Sequence, residues 1–171
     1  MCRSPPFSRT FSVFEFYGKG PFENYCDRNS AALIGHYVQR VEDQYHWGYA
    51  RPQESGTKTQ LRWMKVTDDN GTGLMITSDE RFSASALPLS RRQLDMSITG
   101  GGRRDRGDQR HSLELKKLAC ENMRSLGKTY VNFDLMQMGL ACINSWGAMP
   151  LPEHRVKGEQ EFRFVIRPTD N

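Results

Sequence analysis

Hydrophobic and polar residues alternate with a period of two along most of the chain, which predicts β-strands rather than helices. The segment TQLRWMKVT (Thr59–Thr67) places Leu61 and Trp63 on one face and Met64 and Val66 on the other. An Asn-Gly turn in DDNGTG and the apolar run GLMIT follow directly. Together the two runs predict a β-hairpin.

The alternation continues near the end of the chain, in EQEFRFVIRP (Glu159–Pro168). We expect a strand here with one face on a core. Its inward positions are Phe162, Phe164 and Ile166, and its outward positions are Glu161, Arg163 and Val165.

Aromatic and β-branched residues between turn residues predict four further strands. These are FSVFEFY (Phe11–Tyr17), ALIGHYVQRV (Ala32–Val41), HSLELKKL (His111–Leu118) and KTYVNFDLMQM (Lys128–Met138). One short helix is predicted in SRRQLDMSI, which begins at Ser90 with capping-box spacing. The pattern indicates an all-β, antiparallel protein, either a sandwich or part of one.

The length of 171 residues suits a single domain over residues 1–171, or a piece of a larger one. The net charge of +4 lies largely in GGGRRDRGDQRH (Gly100–His111), which is typical of an exposed connection. We therefore predict no nucleic-acid partner. No apolar run is long enough to cross a bilayer, so no membrane partner is predicted, and the compartment is not indicated.

Catalytic and metal-binding motifs are not found in the sequence. It lacks a phosphate-binding glycine loop and a GxSxG serine, and its four histidines do not stand at ligand spacing. The four cysteines show no Cys/His pattern for zinc and are too sparse for a disulfide scaffold, so free thiols are expected.

Three segments combine turn residues with aromatic side chains. GPFENYCDR (Gly20–Arg28) and RPQESGTKTQLRW (Arg51–Trp63) are typical of loops tied down by hydrogen bonds and ion pairs. INSWGAMPLP (Ile143–Pro152) places Trp146 among loop-forming residues. Two interpretations follow: this indole caps the core from a loop, or it is held out to contact a ligand.

In this order, the three segments and their flanks resemble the small-chain (fifth) domain of family 2 glycoside hydrolases of the β-galactosidase type. The stretches that carry the resemblance are YGKGPFENYCDR, RPQESGTKTQLRW and QMGLACINSWGAMPLPEHRV. The resemblance runs from about Val13 to Pro168 and covers only the C-terminal part of that domain. It implies an antiparallel β-supersandwich of the galactose-mutarotase type. The residues that carry the motif structurally are Gly20, Pro21, Glu23, Asn24, Tyr25, Asp27, Arg28, Arg51, Pro52 and Glu54.

The resemblance also implies what this segment does within a retaining β-galactosidase. Trp146 would stack on the sugar of the aglycone subsite, presented by Asn144, Ser145 and Gly147. The two catalytic glutamates would belong to a barrel domain that lies upstream, so the isolated chain would be inactive. The chain itself would need no cofactor, whereas other domains of the parent enzyme would bind magnesium and sodium.

The partners expected on this interpretation are a β-galactoside, such as lactose, and the remaining domains of the enzyme. An exposed sheet edge or apolar face would also favour homo-oligomers. One alternative is a free-standing carbohydrate-binding or mutarotase-like β-sandwich. Another is a fragment that complements a truncated enzyme by docking on its sheet edges.

Overall fold

The described part of the chain is built from β-strands. The structure, a computed structural model, describes residues 11–45, 55–90, 128–140 and 148–169. These ranges contain two short 3-10 helices, Val41–Gln44 and Pro152–His154, and no α-helix. The strands are β1 (Val13–Gly20), β2 (Leu33–Arg40), β3 (Lys58–Thr67), β4 (Gly73–Leu87), β5 (Tyr130–Asp134) and β6 (Val165–Thr169).

All six strands form one antiparallel sheet in the order β2-β1-β3-β4-β5, with β6 also paired to β4. The long strand β4 carries β3 on one edge. On its other edge, β6 pairs with Gly73–Thr77 and β5 with Ser83–Leu87. The sheet is open, as in one layer of a β-sandwich, and the predicted all-β antiparallel class is confirmed.

The core lies on one face of the sheet because the strands alternate. In β1, Phe14 and Phe16 are fully buried, and they lie in register with Val66 and Met64 of β3. Fully buried aromatic rings supply the largest apolar areas of such a core. Phe82 of β4 belongs to the same core cluster.

The predicted hairpin between β3 and β4 is confirmed. Oδ1 of Asp68 accepts hydrogen bonds from the backbone N–H groups of Asn70 at 2.9 Å and Thr72 at 3.0 Å. Gly71 has a φ of 84°, a conformation that glycine adopts without steric cost. The strand predictions for 11–17, 32–41 and 128–138 are confirmed in type, with bounds that differ by a few residues.

The predicted faces of β3 are wrong at one position. Leu61 lies in the core with Met64 and Val66, whereas Trp63 lies on the other face. The cause is a change of register, because Leu61 pairs with Phe82 but Trp63 pairs with Thr77. Strand irregularities of this kind reverse the side on which the following residues project.

The predicted C-terminal strand is too long. Strand β6 begins at Val165, because its ladder with β4 ends at Thr77 and β4 then changes register. Phe162 packs on the core, as predicted. Phe164 and Ile166, predicted to face inward, are 43% and 49% exposed, and Val165, predicted outward, is 47% exposed.

Three predictions fall outside the described residues. They are the strand 111–118, the helix after Ser90 and the exposed connection 100–111. Within the described ranges, no helix has the length and apolar character needed to cross a membrane.

Candidate functional site

The predicted aglycone platform itself is not described. Trp146 and its neighbours Asn144, Ser145 and Gly147 lie outside the described ranges, as do Arg51, Pro52 and Glu54. The structure does describe the GPFENYCDR block and the chain on both sides of the segment 141–147. These parts show how the chain on either side of the segment 141–147 is held.

The GPFENYCDR block (residues 20–28) folds into a tight turn directly after β1. Tyr25 and Arg28 exchange backbone hydrogen bonds, N–H to O, at 2.9 and 3.0 Å. Nδ2 of Asn29 donates to the carbonyl oxygens of Tyr25 at 3.0 Å and Cys26 at 2.8 Å. The turn is therefore held by its own backbone and by one amide side chain.

Asn24 connects this turn to the sheet from a buried position. Its Nδ2 donates to the carbonyl oxygens of Lys19 and Phe22, both at 3.0 Å. Its Oδ1 accepts from the backbone N–H of Thr59 at 3.1 Å and from the Thr59 hydroxyl. Both donors and both acceptor positions of the amide are thus used, as burial requires.

Glu23 joins the turn to the end of the RPQESG block. Its Oε2 accepts the backbone N–H of Gly56 at 2.8 Å, and its Oε1 lies 3.6 Å from Nη1 of Arg28. The backbone N–H of Asn24 also donates to Thr57 O at 2.8 Å. The first two sequence blocks therefore meet in space, and the structure confirms that their loops are tied by hydrogen bonds and an ion pair.

Lys58 is a buried amine beside this junction, and sequence reasoning did not single it out. Its Nζ donates to Oε1 of Gln44 at 2.7 Å and to Gly56 O at 3.1 Å. Burial lowers the pKa of Lys58 to about 8, and the nearby Glu23 carboxylate opposes that shift. A lysine next to RPQESG carries no local signal of burial, since lysines are usually exposed.

The chain entering the Trp146 segment is clamped against the turn. The backbone N–H of Gly139 donates to His154 O at 2.9 Å. A Cβ at Gly139 would lie 2.7 Å from Cγ of Asp27 and 3.1 Å from Cβ of His154, so a larger residue here would require the Asp27 side chain or the backbone to shift. Sγ of Cys26 donates to Gln137 O at 3.6 Å.

The chain that leaves the segment 141–147 is held by residues 154 and 155. Pro150 is buried, and its carbonyl oxygen accepts a hydrogen bond from Nε of Arg155 at 2.6 Å. The backbone N–H of His154 donates to Leu151 O at 2.9 Å. Residues 154 and 155 thus contact both flanks of the segment 141–147, a connection that no sequence spacing indicated.

Cys26, an exposed residue of the turn, is a free cysteine, as predicted for it. Burial, and next the Asp27 charge, raise the pKa of its thiol, so it is a weak nucleophile near neutral pH. Among the described residues, no group of three or more His, Cys, Asp or Glu side chains could hold a metal ion.

Comparison with known proteins identifies the family. A family model described as β-galactosidase small chain matches residues 6–167. The chain belongs to this family. It is 39% identical over 160 residues to a β-galactosidase of Priestia megaterium and 31% identical over 157 residues to one of Halalkalibacterium halodurans.

A β-galactosidase of Lactobacillus delbrueckii subsp. bulgaricus is 29% identical over 158 residues. These alignments cover 91–92% of the chain but only 13% of each relative. The resemblance found in the three sequence blocks is confirmed at the level of the family.

Proposed function

We propose that this chain is a segment of a retaining β-galactosidase that hydrolyses terminal β-D-galactosides such as lactose. Its task is to present Trp146 to the aglycone sugar and to help form the scaffold around it. The two catalytic carboxyl groups, and the magnesium and sodium sites, belong in this proposal to other domains. The remaining domains of the enzyme are its partners.

The support comes from the attachment of the Trp146 segment. Its incoming flank is fixed by Gly139 against Asp27, and its outgoing flank by Arg155 on Pro150. A binding side chain on a loop contributes most when a rigid scaffold positions the ends of that loop. The GPFENYCDR turn supplies such a scaffold here.

An indole platform suits a sugar for physical reasons. The face of a pyranose that carries C–H groups packs on the electron-rich indole face without removing hydroxyl hydrogen bonds. One such contact contributes ~1–2 kcal/mol, by analogy with other aromatic-face contacts. That free energy orients a leaving group or an acceptor sugar, but it does not cleave a glycosidic bond.

The test is a chimera in which this chain replaces the matching segment of the Priestia megaterium β-galactosidase. We expect the chimera to hydrolyse lactose and Trp146→Ala to lower kcat/KM about 5- to 30-fold, the equivalent of ~1–2 kcal/mol. Trp146→Phe keeps a ring face and should recover part of the loss. An active chimera whose kcat/KM is unchanged by Trp146→Ala would contradict the platform role.

The isolated chain provides a second measurement. Without the carboxyl groups of the other domains it should not release the chromophore from a chromogenic galactoside. The proposal would be refuted if the 171-residue chain hydrolysed the galactoside faster than a buffer blank and this activity copurified with the chain at constant specific activity.

A further inference from the structure

A polar cleft of about 460 Å³ opens beside the GPFENYCDR turn. Its walls come from that turn, from the irregular parts of β3 and β4, and from the segments 135–137 and 160–161. The volume lies within the range of roughly 300–1,000 Å³ that is usual for small-molecule sites. Two of its lining residues, Cys26 and Gln137, also hold the chain that enters the Trp146 segment, through their hydrogen bond at 3.6 Å.

The cleft is lined by balanced charges and by side-chain amides. Lys19 and Arg81 contribute positive charge, and Glu80 and Glu161 contribute negative charge. Nζ of Lys19 donates to Oδ1 of Asn29 at 2.6 Å, which leaves the ammonium fixed with further protons to donate. A lining with no net charge does not favour an ionic ligand over a neutral one.

One wall of the cleft is held in an unusual backbone conformation. Gln60 has a φ of 58°, in the left-handed region that residues with a Cβ rarely adopt. Nη1 of Arg81 donates to Oε1 of Gln60 at 2.9 Å, so the amide is fixed as well. Both strands change register next to this residue, between Lys58 and Leu61 and between Leu61 and Trp63. Backbone strain of this kind is concentrated at ligand-binding sites.

We propose that this cleft binds a saccharide, separately from the Trp146 subsite. Amides and charged groups of both signs offer donors and acceptors to neutral hydroxyl groups, whereas the exposed side chain of Met136 offers an apolar surface to a C–H face. The proposal rests on the proposed function only for the choice of a galactoside as ligand.

A polypeptide segment is the less suitable occupant. Interfaces between polypeptides depend on buried aromatic or aliphatic anchors that fill apolar pockets. Phe82, the aromatic residue among the cleft residues, is only 1% exposed and so offers almost no such surface. Most of the other lining side chains are polar or charged.

Cys26 lines the cleft and allows occupancy to be measured without an activity assay. The full chain is treated with iodoacetamide at a constant alkaline pH, since the raised pKa of Cys26 slows alkylation near neutrality, and over a range of lactose concentrations. Alkylation of Cys26 is followed by peptide mass spectrometry. We expect saturable protection by lactose. No protection at about 100 mM lactose, well above a Kd of about 1 mM, would overturn the proposal.

Matched variants then locate the binding. Glu80→Gln and Arg81→Met should each raise the lactose concentration for half-protection about tenfold or more, since each removes a charged hydrogen-bonding group. Asp79→Asn, an exposed change in the same strand but outside the cleft, should leave it unchanged. Equal protection in all three variants would overturn the assignment to this cleft.

The Trp146→Ala variant tests whether this site is separate from the proposed platform. Protection that persists in this variant supports a separate site, whatever the chimera shows about Trp146. Protection that disappears would assign the sugar to the platform instead. A last arm replaces lactose with a β-galactosidase that lacks the matching segment. If this enzyme protects Cys26 and lactose does not, the cleft is an interdomain contact and the proposal is overturned.

Discussion

The carboxyl group of Asp27 occupies the space that a side chain at Gly139 would need. A Cβ there would lie 2.7 Å from Cγ of Asp27, closer than real contacts allow. The contact joins the turn after β1 to the flank of the Trp146 segment, across more than a hundred residues of sequence. Close packing of this kind transmits a change at one residue to the other.

Gly139→Ala should therefore lower the free energy of unfolding by about 1–3 kcal/mol, because overpacking displaces the turn or the flank. Urea unfolding followed by tryptophan fluorescence measures this. Leu140→Ala, an exposed neighbour, should change stability by less than about 0.5 kcal/mol.

The Gly139→Ala/Asp27→Ala double variant tests the cause of that loss. With the carboxyl group removed, the added methyl group has room, so the two single effects should add up to more than the double effect. Additive effects would mean that the clash is not with Asp27.

Asn24→Ala should cost about 3 kcal/mol or more. It leaves the buried N–H of Thr59 and the carbonyl oxygens of Lys19 and Phe22 without their amide partner. Asn132→Ala is the matched control, because Asn132 is exposed and its Nδ2 donates only to the Ser85 hydroxyl, at 3.3 Å. Similar losses in the two variants, measured by urea unfolding, would refute the special role of Asn24.

The lowered pKa of Lys58 predicts that the free energy of unfolding rises with pH. Its folded pKa is about 8 against an ordinary value of 10.5, so between these values the unfolded chain binds more protons. The stability of the native chain should increase through this window, relative to Lys58→Met, by up to about 3 kcal/mol. Below pH 8 the difference between the two proteins should no longer change with pH.

Urea unfolding of both proteins at several pH values between about 7 and 10.5 measures this difference. The contribution of the other titrating groups is common to both proteins and cancels in the comparison. Lys157→Met, at an exposed position, should follow the native chain at every pH. Parallel curves for the native chain and Lys58→Met would show that the amine is not buried in solution.

Gln60→Gly should raise the free energy of unfolding by up to about 1 kcal/mol, because glycine adopts the left-handed conformation without a steric cost. Gln60→Val should lower it, since a β-branched residue resists that conformation. Arg62→Gly, in the same strand at an ordinary φ, should destabilise by about 0.5–1 kcal/mol. If Gln60→Gly were as destabilising as Arg62→Gly, Gln60 would not be strained.

Local patterns were sufficient for most of the strands. The period-two alternation around Phe14 and Phe16 predicts β1, because successive side chains of any strand project to opposite faces. The Asn-Gly turn predicts the hairpin of β3 and β4, because its conformation depends on residues adjacent in sequence. The three sequence blocks were also sufficient to recognise the family that the comparison confirmed.

The pairing of the strands decided which residues face the core at positions where alternation along the sequence did not. Trp63 follows Leu61 by two residues, yet it projects from the other face because the partner strand changes register there. Phe164 has the pattern of a core residue but precedes β6, since β4 leaves the ladder after Thr77. Register depends on both strands of a pair, so neither sequence alone contains it.

The same holds for the candidate site. The sequence by itself determined the strands, the β3–β4 turn and the family, because those follow from neighbouring residues and from motif order. Only the tertiary structure placed Glu23 on the N–H of Gly56, Asp27 against Gly139, and Lys58 in a buried position. Each of these depends on segments distant in sequence, whose contacts form only when the whole sheet is assembled.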